Sequence, residues 1–253
     1  MKKTAIDLFK NVSIGTNPTQ LPEGDLSGIK LRECIWTVKT AGPSPYNNER
    51  TELFFLGCQK AIIGHPCKGC FNSVTWNEKL ANFTHDPIKM AEHINKMAPH
   101  KYVTIGGGEP LDQIDNLIIL CKELKKYDFH IMIYTWRQLN TILIENPIVT
   151  ADVNPVRDLE LGYFNVSKVK ELLNYVDIIV DGQYKEEERL WNGAKEDGLI
   201  SSIGSGNQII WDIKNKIGYP MRSLKKLKLS EDNKLTFELN DNANFSDKIN
   251  LNV

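Results

Sequence analysis

Three cysteines, Cys58, Cys67 and Cys70, fall within thirteen residues, directly after the apolar run Leu53-Phe54-Phe55-Leu56. Thiolates hold iron–sulfur clusters, usually four cysteines to a cluster. Three cysteines with no obvious fourth leave one iron open to another ligand, which a catalytic site needs and a structural site avoids. His65 lies between Cys58 and Cys67 and could complete a Cys₃His zinc site, so the cysteines alone leave zinc open. A second segment, Tyr102 to Leu111 (YVTIGGGEPL), runs from strand character into Gly106-Gly107-Gly108-Glu109-Pro110. Glycines at the carboxyl end of a strand let a ligand approach the backbone and use its N–H and C=O groups. Glu109 adds a negative charge suited to an ammonium group. The two segments together point to an iron–sulfur cluster beside a bound small molecule.

The rest of the chain must position these segments. Its 253 residues suit one α/β domain with elaborations. With 41% hydrophobic residues, 25% charged residues and a net charge of −1, it has an ordinary globular composition. No global positive field invites nucleic acid or an anionic membrane. No apolar run approaches the roughly twenty residues needed to span a bilayer. The start, MKKTAIDLFKN, has no apolar stretch of the secretory kind, so the cytoplasm is the expected location. Five cysteines, an odd number with three crowded together, fit metal or cluster binding better than a disulfide framework.

In chain order, residues 1–30 read as an irregular arm. Leu31 to Lys39 alternates as a strand with Cys34, Trp36 and Val38 on one side, Cys34 acting as a small core residue. Thr51 to Leu56 forms a strand into the first cysteine. Asp86 as N-cap and Pro87 in the first turn start a helix whose apolar face is Ile88, Ala91, Ile94 and Met97. His85 and His93 read as surface residues. Tyr102–Ile105 is a strand, about 112 to 126 a helix with Cys121 in its apolar stripe, and Phe129–Tyr134 a strand. A helix then runs through Leu143, and residues 145–163 form a connecting loop. Val166, Val169, Leu172 and Val176 mark a helix before the strand Asp177–Asp181, whose apolar middle suits burial on both faces of a parallel sheet. This alternation implies βαβ units in an open parallel sheet or partial (β/α) barrel. Residues 185–206 read as a mobile excursion and Asn207–Ile213 as a strand. Leu227 and Leu229 face Leu235, Phe237 and Leu239 across a hairpin. The expected divisions are an arm and first strand (1–50), a core (51–215) and a C-terminal extension (216–253).

The segments Phe55-Leu56-Gly57-Cys58, Cys67-Lys68-Gly69-Cys70-Phe71-Asn72, Thr75-Trp76, Gly107-Gly108-Glu109-Pro110-Leu111, Tyr134-Thr135, Val176 to Gly182 and Gly206-Asn207-Gln208 resemble the radical S-adenosylmethionine superfamily. Within it they are most similar to the activating enzymes of anaerobic (class III) ribonucleoside-triphosphate reductases. The resemblance covers roughly residues 40 to 215 and implies a partial (β/α) barrel or open parallel sheet of the radical S-adenosylmethionine type. It implies that Cys58, Cys67 and Cys70 ligate a [4Fe-4S] cluster whose open iron chelates S-adenosylmethionine. Gly69, Cys70 and Phe71 would border the adenine, Gly107, Gly108 and Glu109 the methionine amine, with Thr135 and Asp181 as further cofactor contacts. The implied activity is reductive cleavage to methionine and a 5′-deoxyadenosyl radical, which abstracts hydrogen from a glycine of the partner reductase. Reduced flavodoxin or a similar protein would donate the electron.

The chain departs from that family in two respects. The family usually has three residues between its first and second cysteines; here eight intervene, Gln59 to Pro66. At the usual spacing Ile62 would stand as ligand, so the loop must be enlarged, at an added closure cost of only about a kcal/mol. The N-terminal arm and C-terminal hairpin also exceed the family's usual length. Two other activities remain open at this point: a radical enzyme on a small molecule, of the deazapurine synthase kind, and a zinc-stabilised interaction module.

Overall fold

A computed structural model describes residues 28–39, 41–81, 84–143, 166–190, 204–243 and 247–252. The expected arm before residue 28, the connecting loop at 145–163 and the middle of the 185–206 excursion lie outside the described residues. An eight-stranded sheet of mixed direction organises the rest, in the order β1 (Leu31–Val38), β2 (Arg50–Phe55), β3 (Tyr102–Gly107), β4 (His130–Tyr134), β5 (Ile178–Asp181), β8 (Ile209–Asp212), β9 (Ile217–Pro220) and β12 (Ile249–Asn250). Strands β2 to β5 run parallel, as their apolar sequences and intervening helices predict. β1 pairs antiparallel with β2, and β8 returns antiparallel along β5. Two short strands, β6 (Arg189–Leu190) and β7 (Gly204–Ser205), pair beside the sheet. The protein is therefore a mixed α/β fold with a large parallel/antiparallel sheet.

One face of the sheet carries the helices. Among the described residues, α1 (Gln59–Ile62) lies in the cysteine loop and α4 (Leu139–Ile142) follows β4. The longer α2 (Pro87–Met97), α3 (Ile114–Lys126) and α5 (Val166–Leu173) cover the sheet. Met90, Ala91 and Ile94 of α2 and Leu117, Cys121 and Leu124 of α3 join Leu53, Phe55, Val103, Ile105, Ile131 and Ile133 in one core. Asp86 caps α2 through Oδ1, which accepts from the Ile88 and Lys89 N–H groups at 2.9 and 3.0 Å. The buried side of α2 differs from the expected one, because Ile88 and Met97 are exposed and Met90 takes the inward position. His85 is buried rather than superficial, since its backbone bridges Ile29 in both directions. Val176 lies beyond the end of α5 but is buried. No helix among the described residues is long and apolar enough to cross a membrane.

The opposite face is covered in two patches. At one end the expected hairpin, formed by β10 (Leu224–Leu229) and β11 (Leu235–Leu239) with Leu227 paired to Phe237 and Leu229 to Leu235, packs on Met132, Ile178, Val180 and Ile210. At the other end Ile35, Val38, Ala41 and Phe54 meet Phe71 and Val74 of the cysteine loop. Val38 thus lies opposite to Cys34 and Trp36, which join the helical side. The cause is an irregularity between Ile35 and Val38, where three steps of β1 match two of β2 and the alternation shifts. The third strand-borne group on this face is polar: Arg50, 1% exposed, donates to Thr104 Oγ1 (2.7 Å) and to the carbonyls of Pro43 (2.7 Å), Val103 (2.7 Å) and His130 (3.1 Å). It therefore fastens the loop before β2 to β3 and β4. Arg50→Met is expected to destabilise the fold by about 3 kcal/mol, because buried carbonyls lose their donor; urea unfolding with an unchanged m-value would show it.

Candidate functional site

The carboxyl ends of β2, β3 and β4 converge on one pocket. Cys58, Cys67 and Cys70 line it together with Gly106, Gly107 and Gly108, and Phe71, Asn72, Trp76, Tyr134, Thr135 and Trp136 complete much of the wall. Gly182, Tyr184, Gly204 and Gln208 close it from the side of β5 to β8, and Glu52 lies on its strand floor.

The cysteine loop is held at both ends. Gly57 and Cys58 donate their N–H groups to the carbonyls of Thr75 (2.8 Å) and Trp76 (3.1 Å), so the loop leaves and returns at the end of β2. The first four of the eight intervening residues wind into α1, with the Ala61 and Ile62 N–H groups donating to the Cys58 carbonyl at 3.0 Å. The first N–H of α1, on Gln59, donates to Asp112 Oδ2 at 2.7 Å. A short helix is a compact way to absorb extra chain, and it leaves the three thiols on one pocket. His65 is exposed and outside the residues lining the pocket, so Cys₃His is not assembled. Among the described residues no three His, Cys, Asp or Glu converge on a single-ion site. A four-iron cluster spreads its ligands farther apart than one ion does, and three thiols around a shared cavity suit that larger group.

The glycine turn docks against the cysteine loop. The Gly108 N–H donates to the Phe55 carbonyl at 2.8 Å and the Glu109 N–H to the Gly57 carbonyl at 2.7 Å. Gly107 has φ +98°, and a Cβ there would lie 2.6 Å from the Phe55 backbone N and O. A Cβ on Gly108 would collide with the Gly57 carbonyl oxygen. These glycines therefore serve chain-to-chain contact on one side and the pocket on the other.

Glu109 is fully buried and does not line the pocket. Its Oε1 accepts from the Leu111 N–H (2.9 Å) and Thr135 Oγ1 (2.8 Å), and its Oε2 from the Trp136 N–H (3.0 Å). Burial pushes its carboxyl up to about 7, opposed by the Arg137 guanidinium. Arg137 in turn binds Asp112 at 2.6 Å, and the same Asp112 receives the Gln59 N–H. Asp181 is likewise buried away from the pocket; Oδ2 accepts from the Leu139 N–H at 2.7 Å at the start of α4. Gly69 does not line the pocket either, for with φ +74° it packs beneath Glu186. Phe71 and Thr135 do line it, Phe71 tilting against Tyr184 at 5.0 Å between ring centroids.

The thiols are held as neutral groups by their surroundings. Burial raises all three; Glu109 pushes Cys58 further, and Cys70 helps push Cys67 up to about 11. Metal binding must expel those protons, which a cluster's positive irons do. Among the described residues, Glu52 Oε2, Asn72 Oδ1 and Trp136 Nε1, buried atoms of residues that line the pocket, find no hydrogen-bond partner. Unsatisfied buried groups are costly, and these belong to residues that line the pocket. Trp136 also meets two cations, Lys60 at 5.0 Å and Arg137 at 4.7 Å from its ring. Trp136, Tyr184 and Glu52 were not singled out from the sequence; only Glu52, a charge inside an apolar strand, carries a local signal.

Comparison with known proteins adds independent findings. A family model described as a 4Fe-4S single cluster domain matches residues 48–211. An anaerobic ribonucleoside-triphosphate reductase-activating protein of Enterobacteria phage T4 is 30% identical over 166 residues, covering 60% of this chain and 84% of that protein. A protein of the same name from Haemophilus influenzae is 25% identical over 169 residues, covering 64% of this chain and 86% of that protein.

Two outcomes follow from this geometry. Gly108→Ala is expected to cost about 3 kcal/mol and prevent cluster uptake, whereas Gly106→Ala, whose Cβ meets nothing nearer than 3.9 Å, changes stability by under about 1 kcal/mol. Thermal melts and iron content after reconstitution would check both. Asp181 is raised by burial to about 7, so the folded chain keeps a proton that the unfolded chain releases near pH 4. Its contribution to stability therefore declines as pH rises from about 4 to about 7. Asp181→Asn should flatten that part of the stability–pH curve, as measured by denaturation at pH 5 and pH 8.

Proposed function

The chain belongs to the 4Fe-4S single cluster domain family and with the anaerobic ribonucleoside-triphosphate reductase-activating proteins, and from that premise we propose that it is a radical S-adenosylmethionine activase of such a reductase. The observation that carries the reading is the convergence of Cys58, Cys67 and Cys70 with the Gly106–Gly108 turn on one pocket. Its sheet, with parallel β2 to β5 at the centre, is read as the partial (β/α) barrel of the radical S-adenosylmethionine type.

Cys58, Cys67 and Cys70 would hold a [4Fe-4S] cluster with one iron left for S-adenosylmethionine. When bound, cluster and cofactor supply a one-electron cleavage that yields methionine and 5′-deoxyadenosine while a glycine of the reductase loses a hydrogen atom. Phe71 would flank the adenine, and the pocket-lining Gly106 to Gly108 would meet the amino-acid part. Glu109 acts from behind the wall: by accepting from Thr135 and the Trp136 N–H it sets the pocket-facing backbone at the end of β4. Asp181 does the same for the start of α4 through Leu139. The apolar and aromatic wall excludes water and oxygen from the reacting atoms. A reduced flavodoxin or similar protein serves as electron donor, and the reaction takes place in the cytoplasm.

Anaerobic reconstitution with iron, sulfide, S-adenosylmethionine and a one-electron reductant tests the reading. The expected result is a brown chromophore, release of 5′-deoxyadenosine and a glycyl radical signal on an added anaerobic ribonucleoside-triphosphate reductase. Stoichiometric zinc in place of the chromophore would overturn it. Cys58→Ala, Cys67→Ala and Cys70→Ala should each abolish the chromophore, while Cys34→Ala and Cys121→Ala, both in the helical core, retain it.

A further inference from the structure

Glu52 is an acid where the fold has least reason to keep one. It lies in the middle of β2, every residue of which is buried, and is itself 5% exposed. Its neighbours on the same face are Arg50 and Phe54, yet Arg50 spends its guanidinium on Thr104 and three backbone carbonyls. Glu52 Oε2 has no hydrogen-bond partner among the described residues, and the residue lines the floor of the pocket. On the side of β3, Gly106 stands beside it with no side chain, and a Cβ there would be 3.9 Å from Glu52 Oε1 and from Tyr134 Cβ.

We propose that Glu52 is the substrate-positioning residue of the pocket, hydrogen-bonding the backbone of the glycine-bearing segment that the reductase inserts; this rests on the activase reading above. A glycine offers no side chain to recognise, only an N–H and a C=O. Recognition in a largely apolar pocket therefore needs a donor and an acceptor close together. A neutral carboxylic acid has both on one carbon. Burial, helped by Glu33 on β1 and opposed by Arg50, raises Glu52 to about 8, so the neutral form prevails at pH 7. As a carboxylate it would instead suit a cationic ligand and suffer the cost of a buried, unpaired charge. The space left by Gly106 allows a backbone to reach it.

The test uses the reconstituted full chain with an anaerobic ribonucleoside-triphosphate reductase as probe. The readout is the number of glycyl radicals formed per 5′-deoxyadenosine released, which normalises for cluster content and cofactor cleavage. Glu52→Leu and Glu52→Ala remove donor and acceptor, and this ratio is expected to fall at least tenfold in both. Glu52→Gln keeps a donor and an acceptor without titrating, and should hold the ratio within about threefold of wild type from pH 6.5 to 8.5. A Leu and Ala ratio equal to wild type would overturn the assignment, because a purely structural defect lowers both products together. A Gln variant as uncoupled as Leu would also overturn it. A wild-type chain that releases 5′-deoxyadenosine but marks no reductase instead overturns the activase reading, and Glu52's role with it.

Discussion

The site depends on a backbone contact between two turns. Gly107 and Gly108 press against Phe55 to Gly57 so closely that neither can carry a Cβ, and two N–H groups cross the contact. Cys58 follows directly on one side and Glu109 on the other. Whatever sets the distance between the first thiol and the glycine turn is therefore main chain, with little freedom to drift. Side-chain packing could tolerate shifts of an ångström; a hydrogen-bonded backbone junction does so only by breaking.

Around that junction the polar groups form a second layer. Asp112 receives the Gln59 N–H from the enlarged loop and the Arg137 guanidinium from beyond β4, while Glu109 receives Thr135 and the Trp136 N–H. Cysteine loop, glycine turn and the end of β4 are thus linked by two buried carboxylates. Removing one partner from such a network costs about 3–5 kcal/mol, so its geometry is strongly enforced. This explains how the chain tolerates eight residues between Cys58 and Cys67: α1 is anchored by its first N–H, and the surplus chain is taken up outside the pocket.

Not all the acids near the pocket are used alike. Glu109 accepts hydrogen bonds at both carboxylate oxygens and Asp181 at Oδ2, and both hold structure. Glu52 is nearly as buried and accepts no hydrogen bond at Oε2 from the described residues, but it lines the pocket. In the same low-dielectric surroundings, what separates Glu52 from Glu109 and Asp181 is its place in the lining of the pocket.

The elements legible in the sequence were those specified by near neighbours. Asp86 and Pro87 announced the start of α2 because a cap bonds residues two and three positions on. The apolar runs of β2, β3 and β5 announced parallel strands, and the Leu227 and Leu235 alternation a hairpin. Cys58, Cys67, Cys70 and the glycine turn declared the chemistry by residue type. What only the tertiary structure decided involved partners far apart in the chain. The irregularity that turns Val38 over is set by pairing with β2, and the antiparallel return of β8 by pairing with β5. Thr135 captures Glu109 from twenty-six residues away. A strand buried on both faces shows no alternation, so nothing in TELFF could say that Glu52 faces the pocket. Local hydrogen bonding and residue chemistry are written in order along the chain; which buried polar group finds a partner is settled only when distant strands come together.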